Sequence, residues 1–239
     1  MLHIKYNKMV LPKITNILFL DIETVPVKYK YEDLSENEKE LWNKKWAFNK
    51  DSEPEELYAK AGVYAEFSKI VCIGLGYYHY SNFRVKSITG ETERDLLNEF
   101  VKVISQSFNK DEHFYCAHNG KEFDFPFLCR RMIVNWVEIP KRLQLQGLKP
   151  WEVKHLDTME LWRFGDVKNF TSLNLLAHTL NLPSPKDEMD GSMVSKVYYE
   201  EKNISKIESY CLKDVVTLAR VYQRLTGQEP IKDEDVIFA

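Results

Sequence analysis

The sequence predicts an α/β fold: a mixed five-stranded sheet with helices on both faces, and a helical insert after the first strand. Two observations carry this. Three strand-like runs precede residue 90, and from there short strands alternate with amphipathic helices. That alternation needs helices covering both faces of one sheet. At 239 residues the chain is long enough to bury a sizeable core and is expected to form one domain over 1–239.

Taken in order, Ile17, Leu18, Phe19 and Leu20 make the apolar centre of a first strand at 14–21, which two acids, Asp21 and Glu23, bring to its end. From 28 to 66 the composition turns polar and charged. Two helices are expected there, each opened by a Ser-x-x-Glu capping box, Ser35 to Glu38 and Ser52 to Glu55. Residues 69–80 and 83–89 read as two strands joined by a turn at Ser81-Asn82. Gly74-Leu75-Gly76 is not a dinucleotide fingerprint, because the chain continues as strand where a helix should open.

Residues 91–108 form a helix with Leu96, Leu97, Phe100, Val101, Ile104 and Phe108 on one stripe. A strand at 113–118 and a helix at 121–134 follow. A short strand near 153–156 leads into a helix at 157–164, where Asp157 and Glu160 form a capping pair. Helices at 172–181 and 203–225 close the fold, and the chain from 226 reads as a polar tail.

Composition excludes some classes. The net charge of −3 provides no global basic field of the kind that marks many nucleic-acid binders. This counts against a tight, sequence-indifferent DNA binder and is compatible with an enzyme holding a short strand in a local groove. Cys72, Cys116, Cys129 and Cys211 form no C-x-x-C pair and sit in apolar contexts, so buried thiols in a reducing compartment are expected. There is no apolar leader and no membrane-length run. A cytoplasmic protein without a membrane partner is the expectation.

The chemistry is concentrated in three stretches. In "DIET", Asp21 and Glu23 are two residues apart on a strand and so share a face. Two carboxylates that close repel, and a hard divalent cation such as Mg2+ or Mn2+ is their natural partner. The competing reading is a strand end with Glu23 in solvent; Asp51-Ser52-Glu53 has the same spacing in a polar stretch and reads as a helix cap. In "AHNGKEFDFPFL", Asn119, Phe123 and Asp124 follow a strand and enter a helix, so Asp124 either aims at the first strand or only complements the helix dipole. In "IESYCLKDVVTLA", Tyr210 and Asp214 lie one turn apart beside the buried stripe of Ile207, Cys211, Val215 and Leu218. Tyr29-x-x-x-Asp33 repeats that spacing where no site is expected.

Together, and in this order, the three stretches resemble the motifs of the DEDDy-type 3′–5′ exonucleases of the ribonuclease H-like fold. That group contains the proofreading domains of family-B DNA polymerases, and the nearest likeness is to stand-alone bacterial forms of such a domain. The likeness spans residues 14–225. Ser209 stands where a sister branch places a His, so Tyr210 assigns the branch. The resemblance implies two divalent ions, Mg2+ or Mn2+. Asp21 would bridge both, Glu23 and Asp214 would hold the ion that activates water, and Asp124 would hold the second. Tyr210 would orient the water; with a phenol pKa near 10 it is a poor base at neutral pH.

The resemblance further implies that Asn119 and Phe123 contact the terminal nucleotide, and that the backbone at Thr24 meets the 3′ end. Lys121 and Lys168 are candidate phosphate contacts. The implied substrate is the 3′ end of single-stranded or frayed DNA, released as 5′-monophosphates, with any polymerase or repair partner acting in trans. RNA as substrate, or a non-catalytic nucleic-acid-binding module on the same fold, are the alternatives. Asp157 matches an acidic position of related nucleases, but a helix cap explains it better. His113, His118, His155 and His178 are expected in ordinary core or surface roles, and the acidic loop 185–194 as a solvated turn. The aromatics of the insert, Trp42, Trp46, Phe48, Tyr58 and Tyr64, are expected to pack it against the sheet.

Overall fold

The computed structural model describes residues 11–49, 51–166, 168–183 and 189–239. Its strands are β1 (Ile17–Pro26), β2 (Ser68–His79), β3 (Asn82–Ile88), β4 (Phe114–Ala117), β5 (Leu156–Asp157) and β6 (Val236–Phe238). Its helices are α1 (Glu36–Trp46), α2 (Pro54–Leu57), α3 (Glu93–Ser107), α4 (Asp124–Val134), α5 (Thr158–Arg163), α6 (Leu173–Thr179), α7 (Val194–Lys196) and α8 (Ile204–Leu225). Short 3-10 turns link several of them.

The strands form one mixed sheet in the order β5-β4-β1-β2-β3-β6. β1 is antiparallel to β2 and parallel to β4; β2–β3 is a hairpin, while β4–β5 and β3–β6 are parallel pairs. Alternate residues of β1 serve the two faces, as a period of two requires. Leu18, Leu20 and Ile22 join the buried cluster of α3 and α4, with Leu97, Phe100, Ile104, Phe125 and Leu128. Ile17 and Phe19 join that of α8, with Val215, Leu218 and Tyr222. Phe19 meets Phe83 and Tyr222 edge-on at 5.7 and 5.6 Å between ring centres, contacts worth roughly 0.5–1.5 kcal/mol each beyond their burial.

The helices start where the sequence supplies caps. Ser35–Glu38 and Thr92–Asp95 form reciprocal capping boxes on α1 and α3, and the Asn203 side chain accepts the Lys206 N–H at the head of α8. The long helix α8 lies directly on β2 because of two glycines. A Cβ at Gly74 would stand 2.8 Å from the Cys211 Sγ, and one at Gly76 would stand 2.5 Å from a Val215 methyl. Glycine in a strand marks such a close approach.

Several expectations are corrected. The sheet has six strands, not five: the segment from 226 is no loose tail, because Arg220 and Gln223 bond the backbone of Ile231 and Val236–Phe238 then pairs with β3. β1 begins at Ile17, after a 3-10 turn at Ile14–Asn16, and runs on to Pro26, so Asp21 and Glu23 lie inside the strand. Their place remains special, since β4 pairs with β1 only through Phe19. The acids thus project beyond the carboxyl end of the parallel neighbour, where open α/β sheets collect ligands. β5 is two residues, Leu156–Asp157. The Ser52–Glu55 box does not form; Pro54 occupies the first helical position behind Glu53, where its missing N–H costs nothing.

The aromatics of the insert pack chiefly on one another. Trp42 is fully buried among Leu34, Leu57, Tyr58 and Ala61, flanked by Trp46, Tyr64 and Phe67, and its indole N–H donates to the Pro54 carbonyl at 2.7 Å. Phe48 is exposed. Sequence reading also passed over α7 and the π-helical turn Val197–Glu201, which have no clean period of 3.6. Tyr199 of that turn stacks on Tyr29 and donates to the Pro26 carbonyl, fastening it to the end of β1.

Candidate metal centre

Asp21 and Glu23 occupy the α8-facing positions of β1, in step with Ile17 and Phe19. Across the ladder Asp21 stands opposite Gly74 and Glu23 opposite Cys72. Immediately after Glu23 the register slips: one step on β1 matches two on β2, leaving Val71 as the extra residue. Such a bulge bends the strand and re-aims its side chains. Thr24 consequently turns to the insert, and its hydroxyl donates to the Gly62 carbonyl at 2.7 Å.

Asp124 arrives from the other face. Asn119 adopts a left-handed conformation with φ of 60°, and its carbonyl accepts the N–H groups of Glu122 and Phe123. This turn sets the head of α4 over β1, where the Asp124 carboxylate accepts the backbone N–H of Ile22. Asp157 holds the turn in place. Its carboxylate accepts the N–H of Asn119 at 3.0 Å and of Lys121 at 3.1 Å while also capping α5 through Met159 at 2.9 Å. Asp214 and Tyr210 come from α8, and the Tyr210 hydroxyl hydrogen-bonds the Asp214 carboxylate.

The electrostatics are those of crowded buried acids. Burial first, then the charges of Asp124 and Asp214, push the Asp21 carboxyl well above the usual carboxylate range. Burial and Asp21 do the same to Glu23. Asp124 is raised to about 7, mainly by burial. The Tyr210 phenol is raised by burial and by Asp214. Two cations are engaged elsewhere: the buried Arg131 by Glu93 at 2.6 Å, and Lys121 by Glu160 at 2.7 Å.

Glu23 is buried as a residue, and among the described residues no donor hydrogen-bonds its carboxyl group. A carboxyl group so enclosed among other acids either keeps its proton or draws a cation that offsets its charge. Ligand atoms of Asp21, Glu23 and Cys211 lie within 4.8 Å of one another. Asp124 and Asp214 act on this group through their charge from just outside it. The oxygen-rich donor set suits hard divalent cations.

The structure therefore brings together Asp21, Glu23, Asp124, Tyr210 and Asp214. Asn119 and Phe123 border the group, with the Phe123 ring half-buried against Phe127 at 5.2 Å. Lys168 is exposed on the loop after α5, with its amide bonded to Asp166, and makes no contact with the carboxylates. None of the four histidines joins them: His118 bonds Thr158 and Thr171, and His155 stacks on Tyr115. The decoys separate as their polar contexts imply, since Tyr29 donates to Glu200 and Glu53 only precedes α2. Of the acidic loop, 185–188 lies outside the described residues, and Asp190 caps the turn at Ser192.

Sequence reasoning missed two residues. Cys211 was read as an ordinary core thiol, yet its Sγ lies 3.5 Å from the Asp21 Oδ2. Asp157 was read as a helix cap alone. The signal for Cys211 was available in Gly74-Leu75-Gly76, since glycines inside a strand announce something packed close above them.

Among the described residues no helix is long and apolar enough to cross a membrane. Comparison with known proteins agrees with the fold. The family described as "Predicted 3'-5' exonuclease related to the exonuclease domain of PolB" matches residues 63–233. A DNA polymerase from Pyrococcus glycovorans is 23% identical over 136 residues, 52% of this chain and 17% of the polymerase. The solved structure of the family B DNA polymerase from Pyrobaculum calidifontis superposes with a TM-score of 0.52 at 14% identity. That superposition covers 93% of this chain and 27% of the polymerase, so the chain spans well under a third of either relative. Since the family match takes in most of the chain and all of α4 and α8, the protein belongs to the family of 3′–5′ exonucleases related to the PolB exonuclease domain.

Proposed function

We propose that the protein hydrolyses phosphodiesters one at a time from the 3′ end of single-stranded or frayed DNA, by a DEDDy-type two-metal mechanism that releases nucleoside 5′-monophosphates. The observation that carries the reading is the convergence of Asp21, Glu23 and Cys211, whose ligand atoms lie within 4.8 Å of one another, with no hydrogen-bond donor to Glu23 among the described residues.

Two divalent cations, Mg2+ or Mn2+, would activate water and neutralise charge on the leaving oxygen. Asp21, central among the acids, would be shared between them, with Glu23 and Asp214 on one side and Asp124 on the other. Tyr210 keeps its proton at working pH, because burial and Asp214 raise its phenol. Its role is to hold the attacking water in line through its hydroxyl, whose position Asp214 fixes. The half-exposed ring of Phe123, braced by Phe127, would stack on the terminal base. Asn119 would meet the same nucleotide, and the Thr24 backbone its 3′ end; the Thr24 side chain is engaged by Gly62. Lys121, tied to Glu160, and Lys168 are the weaker phosphate contacts.

The test is a 5′-labelled single-stranded oligonucleotide incubated with Mn2+, beside an RNA of the same sequence. Stepwise shortening of the DNA that disappears in Asp21→Ala supports the reading. Preference for the RNA moves the substrate class. Binding without shortening reduces the protein to a nucleic-acid-binding module.

A further inference from the structure

The carboxylate pair does not stand alone. Cys211, fully buried on α8, points its Sγ into the pair, 3.5 Å from the Asp21 Oδ2 and 3.6 Å from the Asp21 carbonyl. The space for that sulfur is provided from the opposite strand. Gly74 pairs with Asp21 across the ladder, and any side chain there would begin 2.8 Å from the sulfur.

The geometry points to a thiophilic-metal site made of Asp21, Glu23 and Cys211, through which Zn2+ or Cd2+ shuts off the centre used by the hard cations. This rests on the reading of Asp21 and Glu23 as metal ligands and adds the soft ligand that sorts one class of cation from the other.

Three features support it. First, tetrahedral zinc with Zn–S near 2.3 Å and Zn–O near 2.0 Å has an S···O edge of roughly 3.5 Å. The observed Cys211–Asp21 separation already has that length. Second, a third donor is close by: Glu23 is buried as a residue, its carboxyl group has no hydrogen-bond donor among the described residues, and its ligand atom falls within 4.8 Å of the other two. Third, the chemistry separates the cations. Mg2+ and Mn2+ take oxygen ligands and leave the thiol protonated on Asp21, whereas Zn2+ and Cd2+ prefer thiolate. On binding the soft cation, Cys211 gives up its proton to solvent and the metal–sulfur bond forms, with no change of oxidation state. The soft cation then occupies the position that Asp21 and Glu23 offer to Mg2+ or Mn2+.

The test uses the full chain and reads metal binding rather than turnover. Titration with Cd2+ is followed by the ultraviolet sulfur-to-cadmium charge-transfer band, and Mn2+ binding by loss of the free-ion paramagnetic resonance signal. The wild type is expected to develop the band at stoichiometric Cd2+ and to release its Mn2+ as it does so. Cys211→Ser, which keeps an oxygen in place of the sulfur, is expected to lose the band and to weaken Cd2+ by about tenfold or more, with Mn2+ affinity nearly unchanged. No band in a wild type that binds Mn2+, or an equal band in Cys211→Ser, overturns the proposal. Failure of the wild type to bind Mn2+ at all overturns the metal-centre reading and this proposal with it. If Cys211→Ser does not fold, X-ray absorption on the zinc-loaded wild type decides: a sulfur shell near ~2.3 Å supports the site, and an oxygen-only shell excludes it.

Discussion

Asp157 accepts the backbone N–H of Asn119 at 3.0 Å, and through that bond the edge of the sheet positions the helix that carries Asp124. The same carboxylate caps α5, so a single side chain couples two segments. Asp157→Ala is expected to cost about 2–3 kcal/mol, about 1 from the cap and the rest from two freed amides. Activity should fall roughly 10–100-fold, as when a group supporting metal ligands is removed. Chemical denaturation and exonuclease rates measured on the same variant check both; an active, equally stable variant would show that the Asn119 turn needs no such support.

Gly74 is expected to tolerate no side chain. Gly74→Ala places a Cβ 2.8 Å from the Cys211 sulfur and 2.9 Å from a Val215 methyl. Overpacking of this kind costs about 1–3 kcal/mol, and it should lower Mn2+ affinity too, because displacing α8 displaces Asp214. A thermal melt of Gly74→Ala with and without Mn2+ reads the two effects separately.

Tyr210 is argued to position water and not to take its proton. Tyr210→Phe should therefore lower kcat by roughly a hundredfold while leaving KM and the metal-induced rise in Tm near the wild-type values. A fall in kcat matched by a lost Tm response would instead make Tyr210 a support for the metal ligands.

The pH dependence of the metal-free protein follows from the acids. Asp124 is raised to about 7 by burial, and Asp21 and Glu23 are raised as well. Above the ordinary carboxylate range the unfolded chain has released protons that the folded chain still holds. Stability is therefore fully present at low pH and falls as pH rises toward 7. Without metal, Tm should drop by roughly 5 °C or more between about pH 5 and pH 7.5. Millimolar Mg2+ or Mn2+ should restore it at the upper pH by binding the folded form. Scanning calorimetry at the two pH values checks this, and a Tm that rises with pH in chelator would mean that the acids do not crowd one another.

Much of this was legible in the sequence, for reasons that can be named. Leu18, Leu20 and Ile22 on one face of β1 with Ile17 and Phe19 on the other, and the stripe of α3, follow from periods of 2 and 3.6. The capping box at Ser35 marks its helix start locally. Asp21, Glu23, Asp124, Tyr210 and Asp214 are singled out by order and context, since the D-x-E and Y-x-x-x-D spacings recur elsewhere in the sequence. Apart from the Ser52 box, which Pro54 displaces locally, what failed depended on distant partners. β1 continues past Glu23 because β2 pairs with it as far as Ser68, and β6 exists because Arg220 and Gln223 fold the chain back onto β3. The Cys211–Asp21 contact joins residues 190 apart, and no local pattern reports it.

The central claim is that the four carboxylates converge on divalent cations at the 3′ end of a nucleic acid. The most direct measurement is a crystal grown with Mn2+ and a nucleoside 5′-monophosphate, read by anomalous scattering. The account predicts two manganese peaks that share Asp21, one also bound by Glu23 and Asp214 and the other by Asp124, with the nucleotide phosphate on both. Anomalous density absent from these carboxylates, or placed elsewhere while the nucleotide is bound, would contradict it.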